Sequence, residues 1–333
     1  MMTTNHADIA GLNDVVSQLA STSSEVDQMV RVPEENFATL AAAGLYGALA
    51  PSSAGGLGLE REGFCDLIEQ LASACLATTF VWIQHFRLLR AALDDQSPEW
   101  LRDRASTLIS GELKGGVVLG SLLPGPTRLR ATETSTGWRL DGVAPWVSGW
   151  GSVDALLLSA RGAANEVLGF YLPAQECEGL RVTPQRLSAI NATATVRLEF
   201  DSLDMPADVL VNRVNYAPEN EPVDALRGNG SLALGITRRC TTLLGPTSLD
   251  DELAAHRDQL DRADAASMPA ARARACELAL RAAHALSVAR GSTSVLYGDV
   301  AERSSREASL LLTFGSRPAI RASLLDLFHA SPR

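Results

Sequence analysis

The sequence lacks any apolar run near the roughly 20 residues that a membrane-spanning helix needs, so no membrane partner is expected. No basic region followed by an apolar block occurs in the N-terminal segment MMTTNHADIAGLNDVV, so we expect no export signal and a cytoplasmic location. The five cysteines form no CxxC pair and the five histidines no HxxxH or HExxH spacing, so neither disulfides nor a metal site is expected. The net charge of −10, without a basic stripe, argues against nucleic acid as a partner.

What is present is a three-part pattern of hydrophobic periodicity. Apolar residues recur at helical spacing in the first third of the chain, in short strand-like runs in the middle, and at helical spacing again to the end. Helices, then strands, then helices predict segregated domains rather than βαβ units. We therefore predict an α+β protein with an all-α domain over 1–115, an antiparallel β-barrel or sandwich over 116–223, and an α-helical bundle over 224–333. The predicted strands are residues 117–119, 129–132, 138–141, 155–159, 167–172, 180–183 and 195–200.

Four short segments then follow one another at characteristic intervals. They are a glycine-rich connector over 44–58, GWRLDG with WVS over 137–148, VRLEFD continuing to MP over 196–206, and ERSSREA over 302–308. In this order the segments extend over almost the whole chain, and the sequence resembles the acyl-CoA dehydrogenase superfamily. The resemblance implies the same helical–β–helical fold, with a flavin held between the β domain and the C-terminal helices.

The resemblance implies FAD as the cofactor, with FMN as the alternative flavin and no cofactor at all if the chain is a non-redox descendant. In the family an aromatic residue packs on the flavin ring and a hydroxyl reaches its N5 edge, and Trp146 and Ser148 match these two residues. Because they are two residues apart on a predicted strand, we expect both to face the same side. Residues 122–127 match the family's flavin loop poorly, and residues 291–292 match a shortened form of its glycine-rich turn. The implied cofactor-binding residues are Leu119, Ser121, Leu122, Trp146, Ser148, Gly291 and Ser292.

The catalytic residues are less well matched than the fold. A dehydrogenase of this family needs a carboxylate that removes a proton from the carbon acid. The position that we match to the family's glutamate is Gly298, which cannot act as a base, and its neighbour is Asp299. Asp224, at the start of the predicted C-terminal bundle, is the acid candidate, with a helix cap as the alternative interpretation. His85 is the other catalytic candidate, because a histidine beside the flavin assists oxygen chemistry by hydrogen bonding; the alternative is a core histidine.

Three functions are compatible with this pattern. The first is a flavin-dependent oxidoreductase of the acyl-CoA dehydrogenase type that acts on an acyl thioester or a related small molecule. The second is a two-component flavin-dependent monooxygenase of the same fold, which needs no proton-abstracting base. The third is a non-redox descendant that binds or cyclises a substrate in the old cleft, or serves as an inactive partner subunit. The resemblance further implies a homodimer or homotetramer and an electron-transfer or flavin reductase partner.

Overall fold

The N-terminal part of the chain is helical, as predicted. The structure is a computed structural model that describes residues 9–163, 165–218, 220, 222–315 and 317–329, so the segment 1–8 used in the export prediction lies outside it. Pro33 precedes the second helix and two glutamates occupy its first turn, where the helix dipole favours negative charge. The helices of this part are α1 (Leu12–Gln28), α2 (Glu34–Ala42), α3 (Arg61–Ala74), α4 (Leu76–Trp82), α5 (His85–Ala92), α6 (Glu99–Arg102) and α7 (Ala105–Ser110).

An eight-stranded sheet forms the middle of the molecule. Each of the seven predicted strands overlaps an observed one, and the eighth, at the edge of the sheet, was not predicted. The order across the sheet is β6-β7-β3-β2-β4-β5-β8. β1 is the remaining strand, and it pairs with β4, which also pairs with β2. The strands are β1 (Gly115–Val118), β2 (Leu129–Thr134), β3 (Gly137–Val147), β4 (Ala155–Arg161), β5 (Glu166–Pro173), β6 (Leu180–Pro184), β7 (Val196–Pro206) and β8 (Leu210–Asn215).

The predicted helical–β–helical fold is confirmed, and its sheet is mixed: most strand pairs are antiparallel, but β1 and β2 both run parallel to β4. A parallel pair needs a crossover connection between its strands. Here the β2–β3 hairpin lies between β1 and β4 in the chain and brings β4 back in the same direction. Alternation within single strands cannot reveal this pairing, because the hydrophobic pattern of a strand is independent of the direction of its neighbours.

The C-terminal part is a bundle of five helices among the described residues. Its first helix begins at Val223 and the first strand at Gly115, close to the predicted changes at 224 and 116. One continuous core of buried apolar side chains joins all three parts, so the division into three domains stays a prediction. Within the described residues, no helix combines the length and the apolarity that crossing a bilayer requires. The helices are α8 (Val223–Leu244), α9 (Ser248–Arg262), α10 (Met268–Arg290), α11 (Val300–Thr313) and α12 (Pro318–His329).

The two helical parts are joined by close packing of α3 on α8. A Cβ atom at Gly235 of α8 would lie 2.7 Å from the Glu69 carbonyl oxygen, so only glycine permits this approach. One helical turn later the buried Arg239 donates hydrogen bonds to the carbonyl oxygens at the end of α3 and to Glu307 of α11. This buried ion pair therefore connects α3, α8 and α11.

Candidate functional site

The end of β3 departs from regular strand geometry. The register between β3 and β7 shifts between Ala144 and Val147, which marks a bulge. Trp146 lies in this bulge with a positive φ of 65°, its side chain is 65% exposed, and its N–H donates to Gln185 Oε1 at 2.9 Å. Ser148 is only 5% exposed. The bulge interrupts the regular alternation of β3 and leaves Trp146 exposed and Ser148 buried, and the shared contact of both residues with a flavin stays a prediction.

Three hydroxyl groups meet directly beyond the last pair of β3 and β7. The antiparallel register pairs Val147 with Val196, so Ser148 and Thr195 lie opposite each other. Their hydroxyl oxygens are 2.8 Å apart, and the Thr195 hydroxyl is also 2.8 Å from that of Thr193. All three residues are buried. The sequence analysis identified Ser148 and missed both threonines.

The loop between β6 and β7 carries backbone strain beside these hydroxyls. Ile190 and Ala194 adopt left-handed conformations, with φ of 48° and 47°. Such conformations cost non-glycine residues about 1–3 kcal/mol each, and a β-branched isoleucine is an especially unfavourable occupant. Together with Trp146 they make three of the five positive-φ non-glycine residues in the described chain. Strain of this kind collects at functional sites, which points to this corner of the molecule.

The predicted flavin loop forms a short 3-10 turn after β1, and β1 lies beside β3. Leu119 and Leu122 are half-buried, whereas Ser121 is buried and its hydroxyl donates to the Leu129 carbonyl oxygen at 3.4 Å. The loop therefore lies against β4 and the start of β2.

Arg161 and Tyr216 hold this loop from the other side. The Arg161 guanidinium donates to the Ser121 carbonyl oxygen and lies over the Tyr216 ring. The Tyr216 hydroxyl donates to the Leu123 carbonyl oxygen at 3.2 Å. The conformation of the loop thus depends on a residue at the end of β4 and on one that follows β8.

Arg306 of α11 joins the helical parts to the strained loop. Its guanidinium pairs with Asp27 of α1 at 2.6 Å and with Glu302, and it donates to the Ser188 carbonyl oxygen at 2.9 Å. These carboxylates raise the pKa of Arg306 above its usual range. The Tyr297 ring, which is exposed, lies 5.4 Å from the same guanidinium. The ERSSREA segment therefore contacts the strained loop between β6 and β7.

Gly291 and Ser292 begin an exposed turn that follows α10. The side-chain hydrogen bonds observed in this turn join residues of the turn to one another and to Arg290. Gly298 lies between this turn and α11. A Cβ atom at Gly298 would be 3.2 Å from Gln28 Nε2 of α1, so a side chain at this position would face α1 rather than β3.

The two acidic residues considered in the sequence analysis, Asp224 and Asp299, each lie beside an arginine. Asp224 lies in the first turn of α8, is exposed, and has an oxygen 3.7 Å from a guanidinium nitrogen of Arg61. Asp299 caps the N-terminus of α11 and pairs with Arg290 at 2.7 Å, and this arginine lowers the pKa of Asp299. Asp224 as a catalytic acid therefore stays a prediction, and its observed contacts belong to the end of the helical bundle.

His85 lies in the core at the start of α5 and is 1% exposed. The Gly115 N–H donates to its Nδ1 at 3.0 Å, and the Tyr46 ring packs edge-on against it at 4.9 Å. Burial lowers the pKa of His85 to about 3, although the Leu108 carbonyl partly opposes this shift. The imidazole has almost no accessible surface, as the alternative of a core histidine describes, and a role of His85 beside a flavin stays a prediction.

The structure brings Trp146, Ser148 and the strained loop together at one corner, which we call the β3 corner, and Arg306 contacts this loop at Ser188. His85 and Asp224 lie outside this corner. The two threonines were missed because their contacts depend on pairing with β3, although the alternation TAT at the start of a predicted strand is visible in the sequence. Within the described part of the chain, no cluster of histidine, cysteine and acidic side chains could hold a metal ion.

Comparisons with known proteins agree with this fold. The family of acyl-CoA dehydrogenase N-terminal domains matches residues 14–107. A 3-sulfinopropanoyl-CoA desulfinase of Advenella mimigardefordensis is 26% identical over 245 residues, which cover 67% of this chain and 60% of the desulfinase. The oxygenase component of p-hydroxyphenylacetate 3-hydroxylase of Acinetobacter baumannii is 28% identical over 120 residues, 32% of this chain and 28% of that protein.

The structure of butyryl-CoA dehydrogenase from Megasphaera elsdenii superposes with a TM-score of 0.81 at 17% identity, covering 98% of this chain and 97% of that one. The chain thus spans about 60% or less of the length of these two curated relatives.

Proposed function

We propose that this chain is a member of the acyl-CoA dehydrogenase-like superfamily and a flavin-dependent oxidoreductase that acts on an acyl thioester or a related small molecule. The observation that carries the proposal is the β3 corner, where an exposed Trp146 lies two residues from the Ser148 hydroxyl. An aromatic ring held outward by a strained backbone is suited to stack on a planar ligand.

The side chains at this corner suit an isoalloxazine ring. Trp146 offers an apolar face, and Ser148 offers a hydroxyl that can donate to the edge of the ring. A bound flavin would supply the redox chemistry, accepting a hydride or, when reduced, reacting with oxygen. The protein would stack on the ring, orient its edge and exclude water. We propose Leu119, Ser121, Leu122, Gly291 and Ser292 as contacts to the rest of the cofactor, FAD, with FMN as the alternative.

A two-component flavin-dependent monooxygenase is the second candidate, and the state of the acids favours it. A dehydrogenase needs a carboxylate that is free to take up a proton. Asp224 lies beside Arg61, and the pKa of Asp299 is lowered by Arg290, so Asp299 is a weak base. A monooxygenase needs no such group, and one of the relatives is an oxygenase component.

The partners follow from the same proposal. An acyl-CoA dehydrogenase-type enzyme passes its electrons to a second protein, whereas a two-component monooxygenase receives reduced flavin from a reductase. We propose a homodimer or homotetramer as the assembly.

The absorbance spectrum of the purified protein, followed by titration with FAD and FMN, tests the proposal. Flavin bands in the protein as purified support the oxidoreductase, and colourless protein that oxidises a substrate only with a flavin reductase supports the monooxygenase. Colourless protein that binds neither oxidised nor reduced flavin would contradict both and leave the non-redox function. Trp146→Ala should weaken flavin binding at least tenfold, whereas Phe328→Ala, which removes another exposed aromatic on α12, should not.

A further inference from the structure

The three hydroxyls at the β3 corner carry one more proton than their mutual hydrogen bonds use. Ser148, Thr195 and Thr193 each have one O–H donor, and they make two hydroxyl–hydroxyl contacts, each of 2.8 Å. Among the described residues, their side chains make no other hydrogen bond. Each contact holds one proton, so one proton of the three has no acceptor within the group.

The environment decides which hydroxyl carries the spare proton. If Thr193 or Thr195 carried it, a donor would be left unsatisfied in the most enclosed part of the group, since these residues are 0% and 3% exposed. Leaving a buried donor unsatisfied costs the full desolvation free energy of that group. Ser148 is the least enclosed of the three and lies two residues from the exposed Trp146. The arrangement with the lowest cost has Thr193 donating to Thr195, Thr195 donating to Ser148, and Ser148 donating outward.

The backbone keeps the group in this arrangement. Gly149 donates its N–H to the Thr193 carbonyl oxygen at 2.7 Å, and Gln185 donates its N–H to the Thr195 carbonyl oxygen at 2.8 Å. The same Gln185 accepts the Trp146 N–H through its side chain. The stacking residue and the hydroxyl group are thus connected through one glutamine.

We propose that Thr195 is a positioning residue that fixes the Ser148 hydroxyl as a hydrogen-bond donor toward a ligand atom beside Trp146. This inference rests on the proposed flavin. An oxidised flavin accepts a hydrogen bond at N5, whereas the reduced ring carries a proton there and is itself a donor. A hydroxyl fixed as a donor therefore binds the oxidised ring more tightly than the reduced ring.

Thr195→Val tests this role, because it removes the hydroxyl and keeps the size and branching of the side chain. We expect about tenfold weaker binding of oxidised FAD with little change for reduced FAD, which corresponds to a rise in the two-electron potential of about 30 mV. Thr195→Ser restores the hydroxyl and should restore both affinities. Thr193→Val leaves the Thr195–Ser148 contact and should change the affinity for oxidised FAD less than threefold.

A double-mutant cycle with Ser148→Ala separates positioning from packing. If Thr195 acts through Ser148, Thr195→Val should have no further effect on FAD affinity in the Ser148→Ala background. An equal loss in both backgrounds would show that Thr195 acts by packing, and would overturn the inference while leaving the proposed function intact. Wild-type protein that binds neither oxidised nor reduced FAD would refute the proposed function, and this inference with it. Circular dichroism and thermal melting of each variant verify that the fold is retained.

Discussion

The buried His85 makes the stability of the protein depend on pH in a window that can be calculated. Its Nδ1 accepts the Gly115 N–H, so the folded state holds the neutral ring protonated on Nε2. Burial lowers the pKa of this ring to about 3, against 6.5 for an unperturbed histidine. The unfolded chain therefore binds a proton below pH 6.5 that the folded protein does not bind until about pH 3. Stability must fall as the pH falls through this window.

The loss between pH 7 and pH 5 follows from the linkage relation. A proton taken up only by the unfolded state costs about 1.4 kcal/mol of stability per pH unit below its pKa, which gives about 2 kcal/mol at pH 5. In the variant His85→Asn, the side-chain oxygen can accept the Gly115 N–H, and the amide does not titrate. The stability lost between pH 7 and pH 5 should be about 2 kcal/mol smaller in this variant than in the wild type.

Urea unfolding followed by circular dichroism at pH 7, 6 and 5 measures this difference. Acids that titrate in both proteins cancel when the wild type and the variant are compared. His256→Asn, a change on the surface helix α9, controls for the general effect of removing an imidazole. If wild type and His85→Asn lose the same stability over this range, His85 titrates alike in both states and the buried neutral ring is refuted. A neutral His85 near pH 7 also means that it supplies no charge to a bound flavin.

Three further predictions concern the site and its supports. Trp146→Ala should leave the free energy of unfolding within about 0.5 kcal/mol of the wild type by urea denaturation, because the ring is exposed; a larger loss would place this ring in the core. Glu307→Gln leaves the buried charge of Arg239 unpaired and should cost about 3–5 kcal/mol in the same assay, whereas Glu302→Gln, at a more accessible pair, should cost less than about 1 kcal/mol. Equal losses would contradict this difference in burial. Tyr216→Phe removes the hydrogen bond to the Leu123 carbonyl oxygen, directly after the 119–122 turn, and should cost about 1 kcal/mol of stability. An affinity for FAD that is unchanged by isothermal titration would show that this turn does not contact the cofactor.

Much of the fold followed from local patterns. The switch from helical to strand periodicity near residue 115 and back near residue 223 reflects how each segment exposes one face to the core. Strand β8, which ends at Asn215, was missed because it lies at the edge of the sheet. Its last four residues are exposed, so the apolar alternation is weak. The resemblance to the acyl-CoA dehydrogenase superfamily was visible for the same reason, since the matching motifs lie on elements whose order is set along the chain.

The sequence by itself determined the kinds of elements, their order, and the candidates Trp146 and Ser148. Tertiary structure alone decided that β1 runs parallel to β4, that a bulge turns Trp146 outward, and that Thr195 meets Ser148 although 47 positions separate them. It also decided that His85 is a core residue. Periodicity reports which face of an element is buried, whereas register, bulges and hydrogen-bond partners depend on contacts between segments that are distant in the chain.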